Sequence, residues 1–330
     1  MATLYLTEQG SVIRKTSDRL VVTKKREVLA EIPCEKLETI FLYGAVQVTT
    51  QALAELLDNG IELALFTLSG RLRGQLTPAK AKNVVLRMKQ YELMADKQRC
   101  LALAKEVVAA KITNAAAVLR RYRKNDPEAV PLGSFQDLDD FQKRAGATGT
   151  LDELRGTEGA AAARYFAAMA RLVPSGFEFT GRNRRPPRDP LNALLSFGYV
   201  LVGNELQSLL DGMGFDPYLG FYHQLDYGRP SLALDLLEEL RSPLIDRFSL
   251  GLLKLRKLVP EDFQSTPEKG VVLTKEALKI YFRAYGEELT RPIELDGETL
   301  TFRQLFRRQA ERLAAALVRG DTYRSFRWPG

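Results

Sequence analysis

The spacing of apolar residues changes near Pro78, and this change divides the chain into a strand-rich part and a helical part. Up to about Gln75 the apolar runs are short, β-branched and broken by turn residues, which is typical of a small sheet with hairpin turns. Within this part, Thr50 is expected to cap a short helix that Gly60 ends. The predicted strands are residues 3–6, 19–22, 39–42, 45–48 and 62–67.

Beyond Pro78 the apolar residues follow the period of an α-helix. Helix formers continue from residue 81 to about 123, and a long apolar helix is predicted at about 191–213. Between them, residues 125–149 contain two prolines and three glycines and are predicted to form a loop, after which Thr150 begins an alanine-rich helix. The sequence therefore predicts an α+β fold, with a small β-rich N-terminal domain at 1–80 and a larger all-α domain at 81–330.

The composition restricts the class of protein. The 330 residues include 48 Lys and Arg against 41 Asp and Glu, and the net charge of +7 favours a polyanionic partner such as nucleic acid. Cys34 and Cys100 are too few for a disulfide framework or a cysteine-based zinc site, which fits a reducing, cytoplasmic compartment. We expect no signal peptide and, without an uninterrupted apolar run of about 18 residues, no membrane span.

His223 is the only histidine in the chain, so one subunit cannot build a metal site from two imidazoles. It precedes an amphipathic helix predicted at 232–241, which Ser231 is expected to cap. Asp235 and Glu238 are three positions apart on that helix and share its polar face. Either one or both of these carboxylates bind one divalent cation together with His223, or Asp235, Glu238 and Glu239 form the solvated side of an ordinary helix and His223 packs in a turn. The residues alone favour the solvated face.

Two other segments are candidates for function. Glu158 lies between Gly156 and Gly159, which leave room for a backbone or a ligand to approach closely, although small residues suit a tight helix contact equally well. A second segment carries four arginines within seven positions, held open by two prolines, and it suits either phosphate binding or a solvated basic loop. These arginines are Arg182, Arg184, Arg185 and Arg188.

Other sequence patterns give weaker or negative evidence about function. The basic C-terminus, with Arg324, Arg327 and Trp328, could bind DNA, but its composition favours a flexible solvated end. The chain has no phosphate-binding loop ending in Gly-Lys-Ser or Gly-Lys-Thr, so we predict no use of ATP. It also has no dinucleotide fingerprint after a strand and no Gly-x-Ser-x-Gly elbow.

Four motifs occur in order and resemble CRISPR-associated protein 1, the integrase and endonuclease that inserts new spacers during adaptation. They are a Gly-Thr-Glu-Gly sequence leading into alanines, an arginine-proline segment leading into an apolar helix, a Gly-Phe-Tyr-His sequence, and a Gly-Arg-Pro-Ser sequence leading into an acidic helix. Their positions are residues 156–166, 184–199, 220–223 and 228–241. The resemblance covers nearly the whole chain, since N-terminal segments such as 44–50 and 70–74 also look like that family.

The resemblance implies a β-rich N-terminal domain joined to a helical catalytic domain. It also implies a divalent-metal site formed by Glu158, His223 and Glu238, with Asp235 as a nearby acidic residue of the same site. Some members have aspartate where this chain has Glu238, which reaches one methylene further. The family further implies homodimers, with the dimer contact expected in residues 1–80, and two such dimers bridged by CRISPR-associated protein 2.

The expected reaction is a metal-dependent transesterification in which a DNA 3′-hydroxyl attacks a phosphodiester, inserting spacer DNA into a CRISPR array. Mn²⁺ or Mg²⁺ would be the cofactor, and double-stranded DNA, as spacer precursor and repeat, the substrate. The four arginines of residues 182–188 are the candidates for phosphate contacts. Two alternatives are a non-catalytic DNA-binding scaffold and a metal-dependent nuclease of general repair.

Overall fold

The computed structural model describes residues 2–68, 72–77, 83–183, 186–268 and 270–329. The chain divides into two compact units, residues 1–83 with 211–214, and residues 84–210 with 215–330. The predicted boundary at residues 80 and 81 lies outside the described residues. The first unit is rich in strands and the second is mostly helical, which confirms the α+β class.

The described residues of the first unit form two four-stranded sheets and one helix. The strands are β1 (Ala2–Leu6), β2 (Val12–Thr16), β3 (Arg19–Lys24), β4 (Glu27–Pro33), β5 (Leu37–Tyr43), β6 (Gln47–Val48), β7 (Glu62–Phe66) and β8 (Leu72–Leu76), and the helix is α1 (Thr50–Asp58). One sheet has the order β1-β5-β7-β8, in which β1, β5 and β7 are parallel. The other has the order β4-β3-β2-β6, and its β2-β3-β4 part has the expected antiparallel hairpins.

Strand β3 shows why this unit folds as it does. Leu20 and Val22 alternate with more exposed neighbours and are buried in one core with Ile13 and Ile40. That period of two is the pattern expected for a sheet with one covered face. The sequence did not predict β2, β4 and β8, whose segments VIRKT, EVLAEIP and LRGQL have few apolar residues in a row.

The second unit contains helices α2 to α10. They are α2 (Val84–Ala95), α3 (Lys97–Asn125), α4 (Gly133–Ala147), α5 (Leu151–Ala170), α6 (Pro190–Met213), α7 (Ser231–Leu237), α8 (Arg247–Lys254), α9 (Lys275–Thr290) and α10 (Phe302–Val318). Its described residues also include two short hairpins, which the sequence did not predict. They are β9 (Phe263–Thr266) with β10 (Gly270–Leu273), and β11 (Pro292–Leu295) with β12 (Glu298–Thr301).

The loop predicted at 125–149 is wrong, because residues 133–147 form α4. Pro131 precedes this helix, while Gly133 and Gly146 lie near its two ends, so the helix breakers do not interrupt its interior. Leu138 and Ala145 are fully buried and lie on the same helical face. Burial of that face between α3 and α5 therefore outweighs the local preference for a loop.

Helix boundaries differ from the predictions at two other places. Thr49, not Thr50, caps α1, and its Oγ1 accepts a hydrogen bond from Ala52 N. The helical stretch after residue 81 is divided by Asp96, whose carboxylate accepts hydrogen bonds from Gln98 N and Arg99 N and begins α3. Thr150 does cap α5 as predicted, accepting from Glu153 N.

The C-terminal segment, residues 320–329, is packed into the second unit. Tyr323, Phe326 and Trp328 are all buried, so the interpretation as a flexible solvated end is wrong. The Trp328 ring lies 5.4 Å from the guanidinium carbons of both Arg121 and Arg247. These cations are therefore bound to an aromatic face, a contact that composition alone does not show. We call residues 320–329 the C-terminal strap.

Helix α6 is, among the described residues, the one helix long and apolar enough to cross a membrane by length and composition. Its best 18-residue stretch has a mean hydropathy of 1.2, and 61% of that stretch is buried inside the protein. Ala193, Leu194 and Leu206, on different faces, are all buried. Burial on several sides is what a core helix requires.

Candidate active site

Asp235, in α7, organises the loop that carries His223. Its carboxylate is fully buried and accepts hydrogen bonds from Phe221 N at 2.7 Å, Tyr222 N at 3.0 Å and His223 N at 2.9 Å. Gly220 makes this approach possible, because a Cβ there would lie 2.6 Å from Asp235 Oδ2. Burial raises the pKa of Asp235, and the hydrogen bonds from His223 and the backbone oppose that rise.

The His223 ring is oriented by the same carboxylate. Its Nδ1 lies 2.7 Å from Asp235 Oδ1, and its Nε2 lies 3.6 Å from Glu238 Oε1. When Nδ1 carries the ring proton and donates a hydrogen bond to Asp235, the lone pair of Nε2 in the neutral ring points towards Glu238. A carboxylate behind a histidine in this way is the usual support of a metal-bound imidazole.

Two basic side chains contact Glu238, which is 3% exposed at the C-terminal end of α7. Lys111 Nζ, from α3, lies 2.5 Å from Glu238 Oε2, and Arg241 Nε donates to the same oxygen at 2.9 Å. Lys111 Nζ also donates to Glu158 Oε1, so one ammonium joins α5 to the end of α7. The residues that the sequence predicted at 158, 223, 235 and 238 are therefore brought into one cluster.

The charges in this cluster influence one another strongly. Burial by itself would raise the pKa of Glu238, but Arg241, Lys111 and His223 outweigh burial and hold that pKa well below its usual range. Burial opposes the ammonium form of Lys111, yet Glu238 and Glu158 together raise its pKa. Glu238 is thus an ionised carboxylate and Lys111 a cation in the folded protein.

Sequence reasoning missed Lys111 and Arg241. A signal for Lys111 exists, since it lies among residues 107–112 of α3, which are otherwise apolar and mostly buried. A lysine in such a stretch requires an anionic partner. Arg241 follows Glu238 by one helical turn, and its guanidinium carbon lies 4.3 Å from the centre of the Tyr199 ring.

A partly open cavity of about 40 Å³ adjoins the cluster. Lys111, Glu158, Arg241 and Asp246 are among its lining residues. Asp246 accepts a hydrogen bond from the Tyr199 hydroxyl, and burial raises its pKa to about 6. A space of this size holds one or two water molecules or a single ammonium group.

The donor atoms suit a divalent cation, although the side chains are not arranged as a closed metal site. Within the described ranges, no three His, Cys, Asp or Glu side chains are grouped so that they could hold an ion. Lys111 Nζ contacts both Glu158 and Glu238 at once. Glu158 and Glu238 supply two carboxylates, and His223 supplies an imidazole whose Nδ1 is held by Asp235. This donor set is nevertheless typical of Mn²⁺ or Mg²⁺ sites with mixed ligands.

The family model for "CRISPR associated protein Cas1" matches residues 4–287. The chain belongs to this Cas1 family. The match confirms the resemblance that the four motifs indicated.

Curated relatives cover most of the chain. It is 37% identical to CRISPR-associated endonuclease Cas1 3 of Thermus thermophilus, over 96% of this chain and 93% of that protein. It is 36% identical to a CRISPR-associated exonuclease Cas4/endonuclease Cas1 fusion of Geobacter sulfurreducens, and the match covers 95% of this chain but 58% of the fusion protein.

Solved structures share the fold. A Cas1 protein from Thermotoga maritima has a TM-score of 0.80 and 25% identity, over 96% of this chain and 97% of that one. A casposase bound to integration product has a TM-score of 0.86 at 22% identity, over 100% and 94%. A Cas6-RT-Cas1–Cas2 complex has a TM-score of 0.80 at 24% identity, over 99% of this chain and 36% of that one.

Several details of this Cas1-family site differ from the sequence predictions. Asp235, Glu238 and Glu239 are buried, so the alternative of a solvated acidic face is wrong. Ser231 does not cap α7, because it is the first residue of the helix and its hydroxyl donates to Gln224 O at 3.1 Å. The helix is also shorter than predicted, and a π-helical turn follows it at Arg241–Asp246.

The glycines beside Glu158 do not receive a close neighbour. A Cβ at Gly156 or Gly159 would meet nothing within 4 Å. The space beside Glu158 is therefore open rather than filled by another backbone. The Glu158 side chain is 20% exposed, which makes it the most accessible of the three predicted ligands.

The four predicted phosphate-binding arginines have different surroundings. Arg184 and Arg185 lie outside the described residues. Arg182 is half-buried and donates to Asn192 Oδ1 at 2.7 Å and to Ser196 Oγ at 3.0 Å, so its guanidinium already serves the start of α6. Arg188 is exposed.

The C-terminal strap reaches the residue next to Glu238. The buried carboxylate of Glu239 accepts hydrogen bonds from the Tyr323 hydroxyl, from Phe326 N at 2.5 Å and from Gln309 Nε2 at 2.8 Å. Asn114 of α3 donates to Glu239 O and to Phe326 O, and accepts from Trp328 N. The strap therefore joins α3, which carries Lys111, to the end of α7.

Proposed function

We propose that this chain is a metal-dependent DNA endonuclease and integrase that inserts new spacer DNA into a CRISPR array. The observation that carries the proposal is the convergence of Glu158, His223 and Glu238 from three separate segments on one cluster. Membership of the Cas1 family and the endonuclease names of its relatives support the same function. So does the fold shared with a casposase bound to integration product.

Glu158, His223 and Glu238 would hold the cation, and one imidazole among oxygen donors suits Mn²⁺ somewhat better than Mg²⁺. When bound, a divalent cation polarises the scissile phosphate and assists an attacking hydroxyl. Asp235 keeps the His223 ring turned so that Nε2 faces Glu238. Arg241 keeps the pKa of Glu238 low, so that this carboxylate is ionised and ready to act as a ligand.

The chemical step exchanges one phosphodiester bond for another. The oxygen of a DNA 3′-hydroxyl attacks the phosphorus of the target strand and gives its proton to solvent. The bond to the leaving 3′-oxygen breaks, and that oxygen takes up a proton from solvent to become a new 3′-hydroxyl. Water in place of the hydroxyl gives cleavage. Because the bonds formed and broken are similar, the reaction needs no nucleoside triphosphate, in agreement with the absence of a phosphate-binding loop from the sequence.

The partners follow from charge and from the related structures. A net charge of +7 favours double-stranded DNA, held through its phosphates by residues such as Arg188. The Cas6-RT-Cas1–Cas2 complex supports CRISPR-associated protein 2 as a second partner. We further propose a homodimer with its contact in residues 1–80, and a site of action in the cytoplasm.

A strand-transfer assay tests the proposal. Labelled duplexes with free 3′-hydroxyls are incubated with a repeat-containing target in Mn²⁺, in Mg²⁺ or with chelator. We expect joined product with metal and none with chelator. Glu158→Gln, His223→Ala and Glu238→Gln should each reduce joining by more than the roughly 10- to 100-fold that loss of an outer metal partner costs.

The control is Glu311→Gln, which removes an equal charge from an exposed position on α10 and should behave as wild type. Joining that survives in chelator, or in the three ligand variants, would refute the proposed function.

A further inference from the structure

Lys111 places a positive charge where the proposed cation would bind. Its Nζ contacts Glu158 and Glu238 together, and its side chain is 15% exposed. Glu158 and Glu238 are both proposed ligands of the metal, and the charge of Lys111 stands between their carboxylates. As the side chains stand, the ammonium and a divalent ion therefore exclude one another.

Arg241 is fixed in place, whereas Lys111 can move. The guanidinium of Arg241 stacks on Tyr199 and donates to Glu238, so its plane is held on two sides. Lys111 ends in a compact ammonium on a flexible four-carbon stem. The adjoining cavity of about 40 Å³, lined by Lys111 and Asp246, offers space for that ammonium to leave the carboxylates.

We propose that Lys111 is an internal cation that competes with the divalent metal for Glu158 and Glu238, and so sets the metal concentration at which the site loads. This inference rests on the proposed function, since it takes these residues as the metal ligands. Without metal, Lys111 keeps the two carboxylates together and limits their repulsion. When metal binds, it replaces Lys111 as their shared counter-charge.

Mn²⁺ binding to the full chain, without DNA, tests the inference. The free ion is measured by electron paramagnetic resonance during titration. Lys111→Met keeps the length of the stem and removes the charge, so the Kd for Mn²⁺ should fall at least tenfold. Lys111→Arg keeps a cation and should bind Mn²⁺ no more tightly than wild type. Lys105→Met removes a charge elsewhere on α3 and should leave the Kd unchanged.

The result that overturns the inference is a Lys111→Met variant that binds Mn²⁺ as wild type does or more weakly. Far-UV circular dichroism checks that each variant is folded. If Lys111→Met does not fold, Lys111→Gln replaces it, and the same decrease in Kd is expected. The proposed function fails separately, and the inference with it, if wild type binds no Mn²⁺ or if Glu158→Gln binds it as wild type does.

Discussion

Asn114→Ala should detach the C-terminal strap from α3. The Asn114 side chain is fully buried and makes three hydrogen bonds, to Glu239 O at 2.7 Å, to Phe326 O at 2.9 Å and from Trp328 N at 2.8 Å. Each bond contributes about 1 kcal/mol, and a buried partner left unsatisfied costs about 1–3 kcal/mol. The three losses together predict a decrease of about 3–5 kcal/mol in the free energy of unfolding.

Trp328 is the only tryptophan in the chain, so its fluorescence reports on the strap. We expect its emission to shift to longer wavelength in Asn114→Ala, and its denaturant transition to precede the transition seen by far-UV circular dichroism. Thr113→Ala is the matched control, because among the described residues the Thr113 hydroxyl bonds only within α3, to Ala109 O. Its loss should change stability by about 0.5 kcal/mol or less. A decrease below about 1 kcal/mol for Asn114→Ala, with unshifted fluorescence, would refute this account of the strap.

Three more predictions concern the site and its surroundings. Burial raises the pKa of Asp246 from 3.8 to about 6, so folding favours the protonated acid. The stability that Asp246 contributes in this way is complete below pH 3.8 and is lost as the pH rises through about 6. Between pH 4 and pH 7, wild type should therefore lose about 2 kcal/mol relative to Asp246→Asn in denaturant titrations, and an equal pH dependence of the two proteins would contradict this. Asp235→Asn should weaken Mn²⁺ binding roughly 10- to 100-fold by removing the support of His223, as measured by calorimetry, and an unchanged affinity would argue against that support. Arg188→Ala should leave the free energy of unfolding unchanged. In fluorescence anisotropy titrations at several salt concentrations, it should lower the salt dependence of DNA binding by about one phosphate contact. An unaltered dependence of affinity on salt would show that Arg188 lies outside the interface.

Periodicity and capping predicted the parts of the fold that depend on local sequence. Leu20 and Val22 alternate as a half-buried strand requires, and Thr150 begins α5 where its side chain can accept from Glu153 N. The same reasoning failed for α4, because it counted prolines and glycines in residues 125–149 without their positions at the helix ends. Buried faces such as that of Leu138 depend on neighbours distant in the chain, which local patterns do not include.

The candidate site, like the fold, could be predicted only in part from local sequence. The ordered motifs identified the acidic residues and His223, but a helical projection left Asp235 and Glu238 on a face that should be solvated. In the structure, the loop with His223 covers Asp235, and Lys111 and Arg241 cover Glu238. The strap covers Glu239 through Tyr323 and Phe326. Apart from Arg241, which follows Glu238 by one helical turn, these covering groups come from parts of the chain that spacing along α7 does not reach.

Location of Mn²⁺ by anomalous scattering, in crystals of the chain soaked with that ion, tests the central claim most directly. We predict one strong peak within coordination distance of Glu158, of His223 Nε2 and of Glu238, with Lys111 Nζ withdrawn from both carboxylates. A saturated crystal with no peak there, or with the peak elsewhere and Lys111 still joining Glu158 to Glu238, would contradict the account.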